Sequence, residues 1–145
     1  MRMRASRADL ASAPARQEGP LYYYEHKFKK NAAKILPGEY LVTGEDLLMV
    51  TILGSCVAAC VWDDRRQIGG MNHFLLGDPG EGHKLSPSDL QRYGVHAMEV
   101  LINALMKKGA VRGRLKAHVY GGATMVAGLG PIGTNNAAFA RRFLE

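Results

Sequence analysis

The stretch "TILGSCVAACVWDDRRQIGGMNHF", residues 51–74, sets two apolar runs on either side of a short polar one. "CVAACVW" reads as a strand, "DDRRQ" as a polar turn, and "IGGMNHFLLGD" as the return strand of an antiparallel hairpin. The preceding "DLLMVTILG" is a nearly continuous apolar run ending at Gly54, the signature of a buried strand. Glycine at that end lets the backbone turn tightly and expose the next residues. Main-chain N–H groups at such a turn can hold an oxyanion, so Gly54 and Ser55 are expected to give backbone support to Cys56.

If the hairpin turn is centred between Asp64 and Arg65, Cys56 falls directly opposite His73. The two side chains would then share a face with Cβ atoms about 4.5–5.5 Å apart, and a one-residue slip would separate them. In such a pair the imidazole takes the thiol proton and the ion pair lowers the effective thiol pKa. A third polar group commonly orients the imidazole. Thr51 is the nearest polar candidate; Asn72 is the weaker one, because adjacent strand residues face opposite ways. The competing reading is an ordinary buried thiol, since free cysteine is among the most buried residue types. Cys60 has the strand parity of Cys56 but no comparable partner, and is assigned to the core.

Working outward, "AKILPGEYLVT" places Pro37-Gly38, a turn pair, between apolar runs. The clearest helix is "SPSDLQRYGVHAMEVLINALMKKGA", with Ser86 as N-cap, Pro87 at the first helical position and Gly109 as a stop signal. Leu90, Tyr93, Ala97, Met98, Leu101, Leu105 and Met106 recur at helical spacing as its buried stripe. The strand "LKAHVYGG" follows, with Leu115, Ala117 and Val119 on one face and His118 turned away, toward a cleft or the surface. "GTNNAAFARRFLE" starts a final helix capped by Thr134 or Asn135. These elements predict an α/β (α+β) fold, a single-domain layered sandwich of mixed or antiparallel β-sheet with one long and one or more shorter helices.

The chain has 145 residues, 47% hydrophobic and 22% charged, which suits one domain with a modest core. Residues 1–35 are expected to be a mobile N-terminal segment and residues 36–145 the functional domain. The net charge is +6, of which residues 1–30, with seven Lys/Arg and three Asp/Glu, hold +4. Basic character concentrated in a tail is weak evidence for nucleic-acid binding. The first 20 residues lack an apolar secretory core, and Asp9 and Glu18 count against a transit peptide. No apolar run approaches the roughly 18–20 residues of a membrane span. With only Cys56 and Cys60, a disulfide framework is not expected, and cytoplasm is the default compartment.

Other chemistries fit less well. The glycines of "YGGATMVAGLGPIG" lack the dinucleotide-binding spacing, and no Walker Lys-Ser/Thr is present. Cys56, Cys60, His73 and His83 make poor zinc spacing, so no metal is expected. His96 falls on the solvated face of the long helix.

"GSCVA", "GGMNHF", "YGGATM" and "IGTNNAAF" occur in an order and at separations that resemble the chemoreceptor glutamine deamidases of bacterial chemotaxis, over about Tyr40 to the C-terminus. The resemblance implies a cysteine hydrolase that converts glutamine side chains of methyl-accepting chemotaxis receptors to glutamate through a γ-glutamyl thioester. It implies a Cys-His-Thr triad, with Cys56 as nucleophile, His73 as base and Thr51 as the orienting residue. Asn72, His118, Gly121, Gly122 and Asn136 are candidates for a substrate cleft. No cofactor is implied. The partners implied are cytoplasmic receptor helices and, in some relatives, a chemotaxis phosphatase, with no nucleic acid and no membrane insertion. A non-catalytic adaptor that binds those partners is the alternative. Asn135 stands where the family usually carries a basic residue. Family members continue through a further strand-rich segment, so the C-terminal part of the family domain is expected to be missing.

Overall fold

The computed structural model describes residues 19–75, 87–123 and 132–145. Seven strands and two α-helices occur among them, with one 3-10 turn at Arg112–Arg114: β1 (Leu21–Glu25), β2 (Lys30–Lys34), β3 (Tyr40–Thr43), β4 (Leu48–Val50), β5 (Val57–Asp63), β6 (Ile68–Asn72), α1 (Pro87–Lys107), β7 (Lys116–Gly121) and α2 (Ile132–Leu144). The strands form two sheets. One is ordered β1-β2-β4 and mixed, with β1 antiparallel and β4 parallel to β2. The other, ordered β3-β6-β5-β7, is antiparallel throughout. This is the α+β layered sandwich expected.

β5 is covered on both faces, which explains why "VAACVWD" is apolar almost throughout. Val57, Ala59 and Val61 face the helices and join Met98, Leu101 and Leu105 of α1 and Phe139 and Ala140 of α2 in the main core. Ala58 and Cys60 face the smaller sheet, in a second core with Ile35, Met71, Leu41, Met49 and Leu53. The large sheet is therefore the middle layer. β6 admits the long helix closely because Gly70 has no side chain. A Cβ there would lie 2.9 Å from Leu101 Cδ1 and 2.8 Å from Val42 Cγ2.

At the far end of the β5–β6 hairpin, Asp63 is 1% exposed. Its carboxylate accepts hydrogen bonds from the Arg114 guanidinium and from the backbone N–H groups of Val111, Arg65 and Arg66. The Arg114 contact, first, and the Val111 N–H hold its pKa well below the usual carboxylate range, against the opposing effect of burial. The hairpin turn is thus tied to the connection between α1 and β7.

Several expectations are corrected. The closing hairpin pair is Asp63 with Ile68, so the loop has four residues and its centre lies between Arg65 and Arg66 rather than one residue earlier. Gln67 takes φ 53°, which turns the chain into β6 without a glycine. The run "DLLMVTILG" is a strand only at Leu48–Val50; Ile52 is 74% exposed. Residues 21–35, expected to belong to a mobile N-terminal segment, hold the β1–β2 hairpin, which buries Ala32, Ala33 and Ile35. Among the described side-chain positions of α1, residues 93–107, the buried ones are Gly94, Met98, Leu101 and Leu105, at spacings of four, three and four. Tyr93 and Met106 lie off that stripe and are exposed. α2 begins at Ile132, so Thr134 and Asn135 lie inside its first turn rather than at its cap. Ser86, His83 and the Leu90 side chain lie outside the described residues.

Candidate active site

His73 follows β6 directly and is 3% exposed. Its backbone is held by the turn at Leu36–Glu39: Gly38 N–H donates to His73 O at 2.8 Å, and His73 N–H donates to Glu39 O at 3.1 Å. Gly38, at φ 83°, makes the bend that Pro37-Gly38 foretold. Glu39 also closes the turn with its side chain, which accepts from Leu36 N–H at 2.8 Å. Its role was not foreseen. A carboxylate one residue after a Pro-Gly pair is the signal that could have shown it.

Thr51 sits one residue past β4. Its hydroxyl oxygen is 2.6 Å from Ile35 O and 2.8 Å from His73 Nδ1. A carbonyl only accepts, so the hydroxyl proton goes to Ile35. The lone pairs of Oγ1 remain for the imidazole, and Nδ1 must therefore carry the ring proton. This fixes the tautomer and leaves Nε2 as the basic nitrogen. Nε2 is buried and has no hydrogen-bond partner among the described residues. Burial lowers the His73 pKa, opposed by the Ile35 carbonyl, so the ring is neutral at neutral pH.

Cys56 ends the bend that precedes β5. The observed register places His73 across from Ala58, flanked by the bridge between Val57 and Phe74. Cys56 is thus displaced by two residues from the direct pairing expected. A shift of two preserves strand parity: Ala58 lies across from His73 on the same side of the sheet, and Cys56 lies in the bend two residues before Ala58. Cys56 and His73 do not form a hydrogen bond in this structure, because Nε2 is without a partner. The thiol pKa is raised by burial, with a smaller opposing effect from the Cys56 amide itself. The resting thiol is therefore protonated, rather than the ion pair expected from the sequence. Burial likewise raises Cys60, which packs in the second core as assigned.

Three consecutive carbonyls anchor the bend. Gly54 O accepts from Ala123 N–H at 3.0 Å, and Cys56 O accepts from Gly122 N–H at 2.9 Å. Ser55 O accepts from Asn136 Nδ2 at 2.7 Å. Gly121 and Gly122 therefore abut the backbone of the bend, at φ 96° and 76°. A Cβ on Gly121 would overlap the Cys56 carbonyl oxygen. Asn136 is fully buried, behind the bend rather than in a cleft.

The remaining cleft candidates lie elsewhere. Asn72 is buried and faces the helix side. Its Oδ1 accepts from Ala59 N–H at 2.9 Å and its Nδ2 donates to Ala97 O at 3.4 Å. It stitches β5 to α1 because it alternates with His73. His118 is exposed, edge-on to Trp62 at 5.1 Å and 3.2 Å from the Tyr120 hydroxyl. It pairs with Cys60, well along β7 from Gly121. Tyr120, not anticipated, pairs with Ala58, one strand over from His73, and is exposed. Among the described residues no group of three or more His, Cys, Asp or Glu is placed to hold a metal, and no helix is long and apolar enough to cross a membrane.

Residues 75–145 match the model of the family described as CheD chemotactic sensory transduction. A probable chemoreceptor glutamine deamidase CheD of Zymomonas mobilis is 57% identical over 112 residues, covering 77% of this chain and 61% of the relative. The similarly named protein of Ralstonia pickettii is 54% identical over 126 residues, 85% of this chain and 52% of its own length. That of Albidiferax ferrireducens is 46% identical over 143 residues, 96% and 59% respectively. The chain thus spans between half and two thirds of the length of these curated relatives.

Proposed function

We propose, from the match of residues 75–145 to the CheD family model and the 46–57% identity to proteins named probable chemoreceptor glutamine deamidase CheD, that this is a CheD protein that hydrolyses glutamine side chains of chemotaxis receptors to glutamate, with Cys56 as nucleophile. The observation that carries the reading is the Ile35–Thr51–His73 relay. It orients the imidazole, selects its tautomer and leaves a buried, neutral Nε2 with a free lone pair.

In the proposed reaction the Cys56 thiol, protonated at rest, approaches Nε2 as substrate enters the site. Nε2 takes the Sγ proton while the sulfur attacks the glutamine Cδ. Negative charge develops on the amide oxygen and is met by backbone N–H groups at Ser55 and Cys56. The C–N bond breaks, Nε2 returns the proton to the leaving nitrogen, and ammonia departs from a γ-glutamyl thioester. Nε2 then takes a proton from water as that water attacks the thioester. Collapse releases glutamate and restores the thiol. Thr51 Oγ1 accepts from Nδ1 throughout, and stabilises the ring most when it is positively charged. Cytoplasmic receptor helices are the substrates this reading names, and a chemotaxis phosphatase is a candidate regulatory partner.

Mass spectrometry of a receptor cytoplasmic fragment tests the proposal. Wild type should convert particular glutamines to glutamate, and Cys56→Ala and His73→Ala should abolish the conversion. Undiminished deamidation by Cys56→Ala refutes the reading. Receptor binding without conversion by wild type favours the adaptor.

A further inference from the structure

The bend that carries Cys56 is held by all three of its successive carbonyls, two to β7's glycine end and one to α2. No peptide bond among the described residues is cis. In a planar trans peptide the C=O of one residue and the N–H of the next point in opposite directions. Gly54 O points to Ala123, so the Ser55 N–H points away from it. Ser55 O points to Asn136, so the Cys56 N–H points away from α2. The next amide in this alternation, Val57 N–H, turns outward in the same way and meets Phe74 O at 3.0 Å.

We infer that Asn136, together with the backbone that follows β7, is a positioning device that builds the oxyanion hole from behind: Ala123 N–H captures the Gly54 carbonyl and Asn136 the Ser55 carbonyl, which turns the Ser55 and Cys56 N–H groups toward the substrate side, while Gly122 N–H holds the Cys56 carbonyl that follows. This rests on the deamidase reading for its consequence in catalysis, but not for its geometry. Asn136 and Ser55 are 81 residues apart, and the Asn136 side chain is fully buried. Its hydrogen bond to Ser55 O acts on the peptide plane between Ser55 and Cys56, which makes it a positioning residue. Gly121 contributes by having no side chain, since a Cβ would push the Cys56 carbonyl off Gly122 N–H. Asn136→Asp keeps the shape but cannot donate, and it sets a carboxylate against the Ser55 carbonyl.

Amide hydrogen exchange on the ¹⁵N-labelled full chain gives the direct test. The Ser55 and Cys56 amides should exchange on the order of 10²-fold faster than those of Val57, Gly122 and Ala123, which are bonded within the protein. Equal protection of Ser55 and Cys56 overturns the inference, whether or not the chain deamidates anything. On a receptor fragment, Asn136→Asp should lower kcat by roughly 10²-fold, with KM within about twofold of wild type. The rate of Cys56 alkylation by iodoacetamide should be unchanged, since alkylation needs no oxyanion hole. A folded Asn136→Asp chain with wild-type kcat overturns the inference while leaving the deamidase reading intact. A wild type that deamidates nothing removes that reading, and the exchange pattern still decides the geometry.

Discussion

Replacing Thr51 by valine keeps the side-chain shape and removes the single oxygen that joins Ile35 O to His73 Nδ1. Two groups lose their partner. Ile35 is 1% exposed, so its carbonyl is not readily rehydrated, whereas Thr51 itself is only half-buried and water can reach part of the gap. A buried polar group left unpaired costs about 1–3 kcal/mol, and partial hydration keeps the total in that same range. The catalytic loss has a separate origin. A hydrogen bond to the charged ring is worth about 1.5–3 kcal/mol and one to the neutral ring about 0.5–1.5, a difference of about 1–1.5 kcal/mol in the transition state, or roughly tenfold in rate. Loss of the tautomer preference and of ring orientation adds up to about another tenfold, so Thr51→Val should lower kcat on a receptor fragment by about 10- to 100-fold. Thr51→Ser, which keeps the oxygen, should stay within about threefold of wild type. ¹⁵N spectra of the histidine ring check the cause: wild-type His73 should be protonated at Nδ1, and Thr51→Val should be mixed. An Nε2-protonated wild-type ring, or wild-type kcat in a folded Thr51→Val chain, refutes the reasoning.

The packing sets three further outcomes. Burial lowers the His73 pKa, so the acid limb of kcat/KM should lie below the unperturbed value of about 6.5. By linkage the unfolded chain binds a proton that the folded one resists, so His73 should cost stability as pH falls from about 6.5 toward its folded pKa, and His73→Asn should remove that part of the urea-midpoint slope. Asp63 has the same sign from a different cause. Its pKa is depressed chiefly by Arg114, so its stabilisation is present above the unfolded value of about 3.9 and is lost as pH falls toward the folded one. Asp63→Asn should unfold at lower urea at pH 7 and lose less on acidification, as read by denaturation series at several pH values. Gly70→Ala would press a methyl within 2.9 Å of Leu41 O and of Leu101 Cδ1. Overpacking of that kind costs about 1–3 kcal/mol, a fall in Tm of roughly 2–12 °C by calorimetry, and an unchanged Tm would show that α1 can give way.

The hairpin and the layered class were legible because they depend on alternation, which a sequence displays directly. The offset of two residues was not. The loop closes through a non-glycine residue at positive φ, Gln67, and no Asn-Gly or Asp-Gly pair marks its centre. Thr51 was found by proximity in sequence, but Ile35 O, which makes the hydroxyl an acceptor toward His73, required the parallel pairing of β2 with β4. That pairing was obscured because "KNAAK" combines lysine, asparagine and alanine, all poor strand formers. The exposure of Ile52 was hidden for the converse reason, an apolar run that continues past the end of its strand. Asn136 and Gly121 act through contacts with residues more than 60 positions away, which no local pattern encodes.

Asn72 and His73 are neighbours that serve opposite sides of one sheet, the first fastened to α1 and the second to Thr51. The hairpin therefore behaves as a tape with a locked phase. Residues can be gained or lost in the 64–67 loop without altering which side each strand residue serves. A single insertion between Ile68 and Asn72 would exchange the two, sending the imidazole among the leucines of the core and the amide toward Thr51. Length variation along this chain should accordingly be tolerated in the loop and excluded from five consecutive positions of β6, a constraint of parity rather than of residue type.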